Sequence, residues 1–290
     1  MQKIFYFIKI NYNHWIGIEN YSYIILILFK YYSFFLGVIL KWKKIGDILI
    51  VDNKFSEDSL DNLESIASEH NVKSIIKIDK IDGQKREPTI SLLYGDETET
   101  IHKENGCLFN LDLSKVMWAK GNNNERLRIA KLVTKGETVV DMFAGIGYFS
   151  IPIGVHSQAK QIYSIEINPN SYRFLKRNIE LNRINEKANY DRMIPILGDC
   201  AIEAPKYSAD RVLMGYVKTT HHFLSPAMEC VKDGGIIHYH ETVPEKLLET
   251  RPISRIKQAA GDRDVELLKI NKIKKYAPGV EHVVIDALID

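Results

Sequence analysis

The sequence predicts an α/β fold, namely a doubly wound, mostly parallel sheet with a terminal antiparallel hairpin, preceded by a small α+β domain. From about residue 137 onward, short runs of Val, Ile and Leu alternate with stretches of helical periodicity, as they do in repeated βα units. Residues 265–289, "VELLKINKIKKYAPGVEHVVIDALI", carry two strand patterns on either side of Pro278-Gly279, which indicates a hairpin. In a sheet of this kind the ligand site lies at the carboxyl ends of the strands.

The composition is that of a soluble globular protein with one large or two modest domains. The 290 residues are 45% hydrophobic and 26% charged, and the net charge of +2 neither favours nor excludes a nucleic-acid partner. Cys107, Cys200 and Cys230 are scattered, without a CxxC pair. This usage argues against a disulfide framework and a zinc knuckle and fits a reducing compartment, so we expect a cytoplasmic protein.

Residues 1–40 form an apolar extension that stands apart from the rest of the chain. Residues 20–40 are almost all apolar or aromatic, and their number is close to the ~20 residues that a membrane helix needs. Membrane contact through this segment is one interpretation. The favoured one is a misassigned start, although no Met occurs between Met1 and Met117 and an internal start would need another codon.

Two domains are predicted after this extension. Residues 41–105 alternate short strands with one helix, "SEDSLDNLESIASEH", and are predicted to be the small α+β domain. Residues 106–290 are predicted to be the ligand-binding catalytic domain, which begins with the half-buried strand in "CLFNLDLSKVMW". Its βα units include a helix opened by Asn168 as the cap and Pro169 as the first helical residue.

A glycine turn follows the first strand of the predicted parallel sheet, in "VVDMFAGIGYFS". Gly145 and Gly147 let the backbone approach a ligand closely, but a GxG turn alone is weak evidence because dinucleotide enzymes carry a related loop. Here Ser150 replaces the third glycine and Asp141 precedes the turn, which favours S-adenosylmethionine (SAM) over a pyrophosphate. We expect Phe143 and Gly145 to contact this ligand, and Asp141 to hold its ammonium group.

Two further carboxylates end the next two strands. Glu166 follows Gly145 by 21 positions, where a carboxylate accepts both ribose hydroxyls. Asp199 ends "IPILGD" and is predicted to accept from the adenine amino group, with Cys200 beside it. One acid at a strand end is ordinary, but an ordered set of three indicates a SAM site.

At this point the chain from about residue 41 resembles the archaeal wybutosine-synthesis tRNA transferase family, whose close relatives are the tRNA guanine-N1 methyltransferases. The resemblance lies in "ETETIHKENGCLFNLDLSKVMWAKGNNNERLRIA", "VVDMFAGIGYFSIP", "DRVLMGYVKTTHHFL", "IIHYHETVPEKL" and "KIKKYAPGVEHVVIDA". It implies a sheet like that of the class I SAM methyltransferases. It also implies SAM contacts at Arg126, Glu166, Asp199 and Cys200, and a backbone contact at Ala119, where relatives can have Ser.

The family resemblance also bears on the reaction. SAM is a sulfonium with three carbons on sulfur, and the carbon that the pocket aims at the nucleophile decides which group is transferred. Methylation of a ring nitrogen that carries a proton needs an acceptor side chain at the end of the fourth strand of such a sheet. In this chain that strand lies in "DRVLMGYVKTTHHFL", and Gly215 and Tyr216 stand at its end. The family implied by these segments transfers the 3-amino-3-carboxypropyl group to C7 of 4-demethylwyosine, at position 37 of phenylalanine tRNA.

Two other functions stay open at this stage. One is a tRNA guanine-N1 methyltransferase with a divergent turn after the fourth strand. The other is a catalytically silent RNA-binding subunit that uses SAM structurally. In all three cases the expected partner is tRNA, through the anticodon loop of phenylalanine tRNA for the favoured function. No protein partner is predicted. Arg126 would contact either the SAM carboxylate or the RNA.

The histidines of the second half do not complete a recognisable set of metal ligands. His238 and His240 point the same way on a strand, but no cysteine or carboxylate spacing accompanies them, and SAM alkyl transfer needs no metal. We therefore expect no metal site. His240 is predicted to be a base or phosphate contact, or a satisfied polar group. Tyr216 would stack on the tricyclic base or pack in the core.

Basic residues near the C-terminus form a candidate phosphate track. The alternatives are a contact with RNA phosphates and a solvated helix face and hairpin edge, which the sequence does not separate. The track consists of Arg251, Arg255, Lys272, Lys274 and Lys275.

Overall fold

The computed structural model describes residues 42–51, 62–83, 86–118 and 120–290. The interpretations of residues 1–40 and of Ala119 lie outside these ranges. Within them, no helix combines the length and the apolar character needed to cross a bilayer.

Strands make up most of the regular structure within these ranges. They are β1 (Trp42–Ile45), β2 (Ile48–Val51), β3 (Ser74–Asp82), β4 (Glu87–Tyr94), β5 (Glu99–Glu104), β6 (Cys107–Asp112), β7 (Thr138–Asp141), β8 (Gln161–Glu166), β9 (Met193–Leu197), β10 (Ala209–Met214), β11 (Val231–Pro244), β12 (Val265–Ala277) and β13 (Val280–Ile289).

The helices lie mainly between the later strands. They are α1 (Leu63–His70), α2 (Asn123–Leu132), α3 (Ser150–His156), α4 (Pro169–Leu181), α5 (Ile184–Ala188), α6 (Cys200–Glu203), α7 (Leu224–Cys230) and α8 (Arg251–Ala260). Short 3-10 turns occur at Lys120–Asn122, Ala204–Lys206, Thr220–Phe223 and Glu245–Leu247.

The predicted doubly wound sheet is confirmed. Seven strands lie in the order β12-β13-β11-β10-β7-β8-β9, and β7 pairs in parallel with both β8 and β10. The chain therefore reverses its direction of winding beside β7, which is the switch point where open α/β sheets bind ligands. The terminal hairpin of β12 and β13 is antiparallel and pairs with the sheet through β11.

Local sequence signals explain how the βα units begin. The side chain of Asn168 accepts a hydrogen bond from the backbone N–H of Asn170 at 2.9 Å, and Pro169 occupies the first turn of α4, as predicted. Apolar residues of α3 and α4 pack against the same buried cluster as β7 and β8, including Ile151, Phe174 and Val139.

A four-stranded sheet, β1-β2-β3-β4, and the β5-β6 hairpin precede the large sheet. One set of buried side chains packs β2 and β3 against α1. Another set, including Ile48 and Ile76, joins Phe109 and Leu111 in the cluster that also holds the core of the large sheet. The boundary predicted between residues 105 and 106 falls in the turn of the β5-β6 hairpin, whose strands pair from Glu99↔Asp112 to Glu104↔Cys107.

Candidate functional site

A cavity of about 450 Å³ lies at the carboxyl ends of β7, β8, β9 and β10. This volume is within the ~300–1,000 Å³ of typical small-molecule sites. The strand ends contribute Gly145, Glu166, Asp199 and Gly215 to its wall, and the terminal hairpin contributes Lys274 among others. The cavity therefore lies at the edge of the sheet where the sequence predicts the ligand site.

The glycine turn after β7 brings backbone N–H groups to this cavity. Gly145 and Gly147 have φ of +60° and +96°, and a β-carbon on Gly145 would lie 2.4 Å from the ring of Tyr148. Glycine is required there for both reasons. The N–H of Gly145 donates to Oε2 of Glu166 at 2.7 Å, so the turn and the end of β8 are held together.

Glu166 is the central acceptor of the cavity. Its Oε1 accepts from the backbone N–H of Asn168 at 2.7 Å, while its Oε2 accepts from Gly145. Burial raises the pKa of this carboxyl, and the N–H groups of Asn168 and Gly145 counteract part of that rise. Each carboxylate oxygen has a second acceptor site, so Glu166 can still accept from two neighbouring hydroxyls.

Asp199 and Cys200 lie at the end of β9 beside Glu166. Oδ1 of Asp199 accepts from the N–H of Ala201 at 2.9 Å and caps the short helix α6. The carboxylate also lines the cavity, where an exocyclic amino group would find an acceptor. Burial raises the pKa of the Cys200 thiol to about 12, so this side chain is a neutral, apolar wall.

Asp141 has a different position from the one predicted. Its side chain is fully buried beneath the glycine turn, where it accepts from the hydroxyl of Ser150 at 2.7 Å and from the N–H of Phe143 at 3.3 Å. It is not among the residues that line the cavity. The interpretation of Asp141 as the ammonium contact is therefore corrected: this carboxyl supports the turn from below.

The burial of Asp141 predicts a pH-dependent stability. Burial raises its pKa from 3.8 to about 6, against the hydrogen bonds from Ser150 and Phe143. The folded state binds the proton of Asp141 more tightly than the unfolded state does. The stability that this proton contributes is therefore fully present below pH ~4 and is mostly lost by pH ~6. At ~1.4 kcal/mol per unit the loss is about 3 kcal/mol. The free energy of unfolding of Asp141→Asn, relative to that of the native protein, should therefore rise by up to that amount between pH 4 and pH 7, as measured by urea unfolding.

Asp112 supplies a control of opposite sign. Despite its burial, hydrogen bonds from Ser114 and Thr98 hold the pKa of this carboxyl at about 2. Its stabilisation is lost only as the pH falls from ~4 toward 2, so Asp112→Asn should lose stability by the same amount at pH 4 and pH 7. Parallel pH curves for Asp141→Asn and the native protein would contradict the assignment for Asp141.

Aromatic rings form the wall next to β10. Phe143 and Tyr216 are stacked, with ring centroids 5.3 Å apart and planes at 21°, and Phe223 meets Phe143 edge-on at 5.1 Å. All three line the cavity. Tyr216 therefore packs on a neighbouring ring and also faces the ligand space, so the two interpretations of this residue describe two faces of one ring.

Gly215 ends β10 without a side chain that could accept a proton. A β-carbon at this position would lie 3.0 Å and 3.2 Å from two ring carbons of Phe149, closer than ordinary van der Waals contact. The wall at this point is thus formed by backbone and by the apolar rings of Phe149 and Tyr216.

Arg126 is the innermost cation of the cavity. It is 1% exposed and donates from Nη1 to Oε1 of Glu104 at 2.6 Å. Its guanidinium carbon lies 4.5 Å from the ring centroid of Trp118 and 5.0 Å from that of Tyr148. Burial acts to raise the pKa of Glu104, but His102 and Arg126 outweigh it and hold this pKa below its usual value. The sequence indicated Arg126 but gave no sign of its partner, because Arg126 lies on α2 and Glu104 on β5.

His240 does not reach the ligand space. It is 2% exposed, lies edge-on against Phe149 at 5.3 Å and is absent from the cavity wall. Its Nδ1 lies 3.1 Å from Nε2 of His282, and it is His282 that lines the cavity. Burial, then His282 and His238, lower the pKa of His240 well below 6.5, so the ring is neutral. The prediction of a base or phosphate contact at His240 is wrong, and the alternative of a satisfied polar group describes it.

The other histidine of this strand belongs to a buried ionic network. Nδ1 of His238 lies 2.6 Å from Oδ1 of Asp286, and Arg211 lies 2.7 Å from its other ring nitrogen. In the ranges that the structure describes, no group of three or more His, Cys, Asp and Glu side chains has an arrangement that could hold a metal ion.

The candidate phosphate track divides into two parts. Arg251 and Arg255 both donate to Oε1 of Glu241, at 2.7 Å and 2.6 Å, and Glu241 is 2% exposed. These two arginines neutralise a buried carboxylate, which is a structural role. Lys274, by contrast, lines the cavity, while Lys272 and Lys275 are exposed outside it.

The side chains present fit SAM. Glu166 offers acceptors for the ribose hydroxyls, and Asp199 offers one for the adenine amino group. Arg126 provides a buried cation for the carboxylate of the amino-acid end.

The chain is similar to known tRNA-modifying enzymes. A family model described as the TRM5/TYW2 methyltransferase domain matches residues 100–268. A tRNA(Phe) (4-demethylwyosine(37)-C(7)) aminocarboxypropyltransferase of Methanocaldococcus jannaschii is 49% identical, over 86% of this chain and 97% of that protein. A tRNA (guanine(37)-N(1))-methyltransferase, Trm5b of Pyrococcus abyssi, is 37% identical over 74% of this chain and 64% of its own length.

Solved structures show the same relationship. The M. jannaschii TYW2 structure in complex with AdoMet has a TM-score of 0.69 and 43% identity, and covers 86% of this chain and 99% of that chain. The Pyrococcus horikoshii TYW2 structure in complex with MeSAdo has a TM-score of 0.77 and 39% identity, and covers 92% of this chain and 98% of that chain.

Proposed function

This chain belongs to the TRM5/TYW2 methyltransferase family, and we propose that it transfers the 3-amino-3-carboxypropyl group of SAM to C7 of 4-demethylwyosine at position 37 of phenylalanine tRNA. The matched M. jannaschii transferase, which bears this activity in its name, is 49% identical, against 37% for the guanine-N1 methyltransferase. A tRNA substrate of this kind would be modified in the cytoplasm, through its anticodon loop.

The observation that carries the proposal is the end of β10. A ring nitrogen that is methylated gives up a proton as it attacks, so a methyltransferase for guanine N1 needs an acceptor there. Gly215 has no side chain, and the rings of Phe149 and Tyr216 close the wall around it. A ring carbon attacks through its π electrons and releases its proton after the new bond has formed. Such a nucleophile does not need an acceptor side chain at position 215.

SAM, when bound, supplies an electrophilic γ-carbon on its methionine side chain. The C7 electron pair forms the new C–C bond, the electrons of the broken C–S bond remain on sulfur, and the ring proton passes to solvent. The thioether that leaves is 5′-methylthioadenosine, and MeSAdo, present in the P. horikoshii TYW2 structure, is this molecule.

The chain's own residues would orient the reactants. Glu166 would hold the ribose and Asp199 the adenine amino group, which sets the position of the sulfur relative to the end of β10. Arg126 would hold the carboxylate of the transferred group. Tyr216, stacked on Phe143, would offer its other face to the tricyclic base, because base–aromatic stacking does not depend on hydrogen-bond donors.

The fate of SAM tests the proposal. Purified protein, SAM and tRNA carrying 4-demethylwyosine should yield 5′-methylthioadenosine, because the γ-carbon is the one transferred. Chromatography separates it from S-adenosylhomocysteine, which methyl transfer would leave. A parallel reaction with unmodified guanosine at position 37 should show no turnover of SAM.

Each other outcome favours a different function. S-adenosylhomocysteine together with methylated guanosine in the second reaction would overturn the proposal in favour of a guanine-N1 methyltransferase. If neither tRNA gives a by-product while SAM binds, the chain is an RNA-binding protein that uses SAM structurally.

A further inference from the structure

The hairpin strand β12 is irregular where it meets the cavity. Its pairing with β13 shifts between Lys272 and Lys274 and again between Lys275 and Ala277, so two extra residues are accommodated within six positions. Such bulges redirect side chains and recur next to active sites. Between the two shifts Lys274 lies opposite His282, and both line the cavity.

Lys274 faces cations. Burial lowers the pKa of its ammonium, and Arg126, Arg86 and Lys43 lower it further. In the described ranges no carboxylate forms an ion pair with Lys274, and the buried carboxylate of Glu104 is bonded to Arg126. An ammonium held among like charges is stabilised by an anion that arrives from outside.

The backbone around Lys274 leaves space for its ammonium. A β-carbon at Gly121 would lie 3.2 Å from both Cδ and Nζ of Lys274, tighter than ordinary van der Waals contact. Glycine in the turn Lys120–Asn122 therefore allows the end of the lysine to rest against the start of α2. The ammonium is thus set beside one wall of the cavity, although the residue as a whole is exposed.

We propose that Lys274 binds a backbone phosphate of the target nucleotide when its base enters the cavity. This inference rests on the proposed function, which makes tRNA the substrate. A nucleotide whose base enters a pocket leaves its phosphates outside that pocket, and Lys274 is a residue of the hairpin that lines the cavity and is also exposed. The carboxylate of SAM is matched by the deeper cation, Arg126, which is 1% exposed. Arg86, which also lines the cavity, lies on the same side as Lys274 and adds to the positive potential.

The salt dependence of tRNA binding tests this contact. Losing one phosphate contact lowers the slope of log affinity against log salt by ~0.7–0.9. Lys274→Gln should show this decrease and bind tRNA about tenfold more weakly at moderate salt, the order expected for one charge-assisted hydrogen bond. Lys269→Gln removes the same charge from an exposed position of the same strand outside the cavity, and should keep the native slope.

Replacing one phosphate of the RNA with a neutral analogue shows which phosphate Lys274 contacts. Anticodon stem-loops with a methylphosphonate on the 5′ or the 3′ side of nucleotide 37 remove one charge each. One of them should weaken binding of the native protein and have no further effect on Lys274→Gln. Equal losses in both proteins with either RNA would overturn the proposal. So would weaker binding of SAM alone to Lys274→Gln with an unchanged salt slope, because the lysine would then hold the donor.

These binding experiments are independent of the chemistry of transfer. If the by-product of the reaction were S-adenosylhomocysteine, the proposed function would fail while the salt slopes and the methylphosphonate comparison still reported on Lys274. If 5′-methylthioadenosine forms and the slopes of Lys274→Gln and the native protein coincide, the function stands and the phosphate contact is wrong.

Discussion

Replacing Glu166 with alanine is expected to weaken SAM binding by tenfold or more. A hydroxyl that donates to a carboxylate contributes ~1.5–3 kcal/mol, so the loss of one such contact gives about tenfold in affinity and the loss of both more than a hundredfold. The variant also loses the acceptors for the N–H groups of Gly145 and Asn168, which loosens the glycine turn. Both effects reduce affinity for the same ligand. Calorimetry of SAM binding without tRNA measures the change.

Two controls separate the ligand contact from a general effect. Glu180→Ala removes an exposed carboxylate of α4, which pairs with Arg177 at 3.5 Å, and should leave SAM affinity unchanged. Glu166→Gln keeps one acceptor oxygen but turns a donor toward Gly145 or Asn168, so an intermediate loss is expected. Native affinity in Glu166→Ala, with thermal unfolding unaltered, would move the ribose site elsewhere in the cavity.

Replacing Arg126 with alanine should cost both stability and turnover. The variant leaves Glu104 buried without its cation, a change that destabilises by about 3–5 kcal/mol. It also removes the charge that lies over the rings of Trp118 and Tyr148, so the carboxylate of the transferred group would lose its proposed partner. Urea unfolding measures the first effect, and formation of 5′-methylthioadenosine measures the second.

A second substitution separates the two roles of Arg126. In Arg126→Ala with Glu104→Gln the unpaired charge is gone, so most of the stability should return. Turnover should remain low, because the cation proposed to hold the donor carboxylate is still missing. If turnover recovers together with stability, Arg126 acts only through the fold and the proposed contact with the substrate is wrong.

The fold and the nucleoside end of the site could be predicted from local patterns. Strand and helix periodicities are properties of short segments, and they gave the βα order and the terminal hairpin. An acid at the end of a parallel strand comes to the same edge as its neighbours whatever the distant sequence is. Glu166 and Asp199 could therefore be placed without knowledge of any contact, and Gly145 by the turn that it must make.

The roles of other residues depended on contacts between different strands and helices. Asp141 ends a strand as Glu166 does, but Ser150 and the turn close over it, which the alternation of residues does not reveal. From the sequence, Arg251 and Arg255 are candidates for a phosphate track, but in the structure both donate to the buried carboxylate of Glu241. Such pairings join side chains of different strands and helices, and either partner alone is typical of an exposed polar group.

The sequence by itself determined the sheet, the edge at which the cavity opens, and the absence of a side chain at Gly215, because each follows from local residue types. Only the tertiary structure decided that Glu104 pairs with Arg126, that His240 faces Phe149 rather than the ligand, and that Lys274 lines the cavity. These three depend on strand register and on bulges. A shift of one residue turns a side chain to the opposite face of a sheet, and the energy that selects the register comes from the packing of the whole domain.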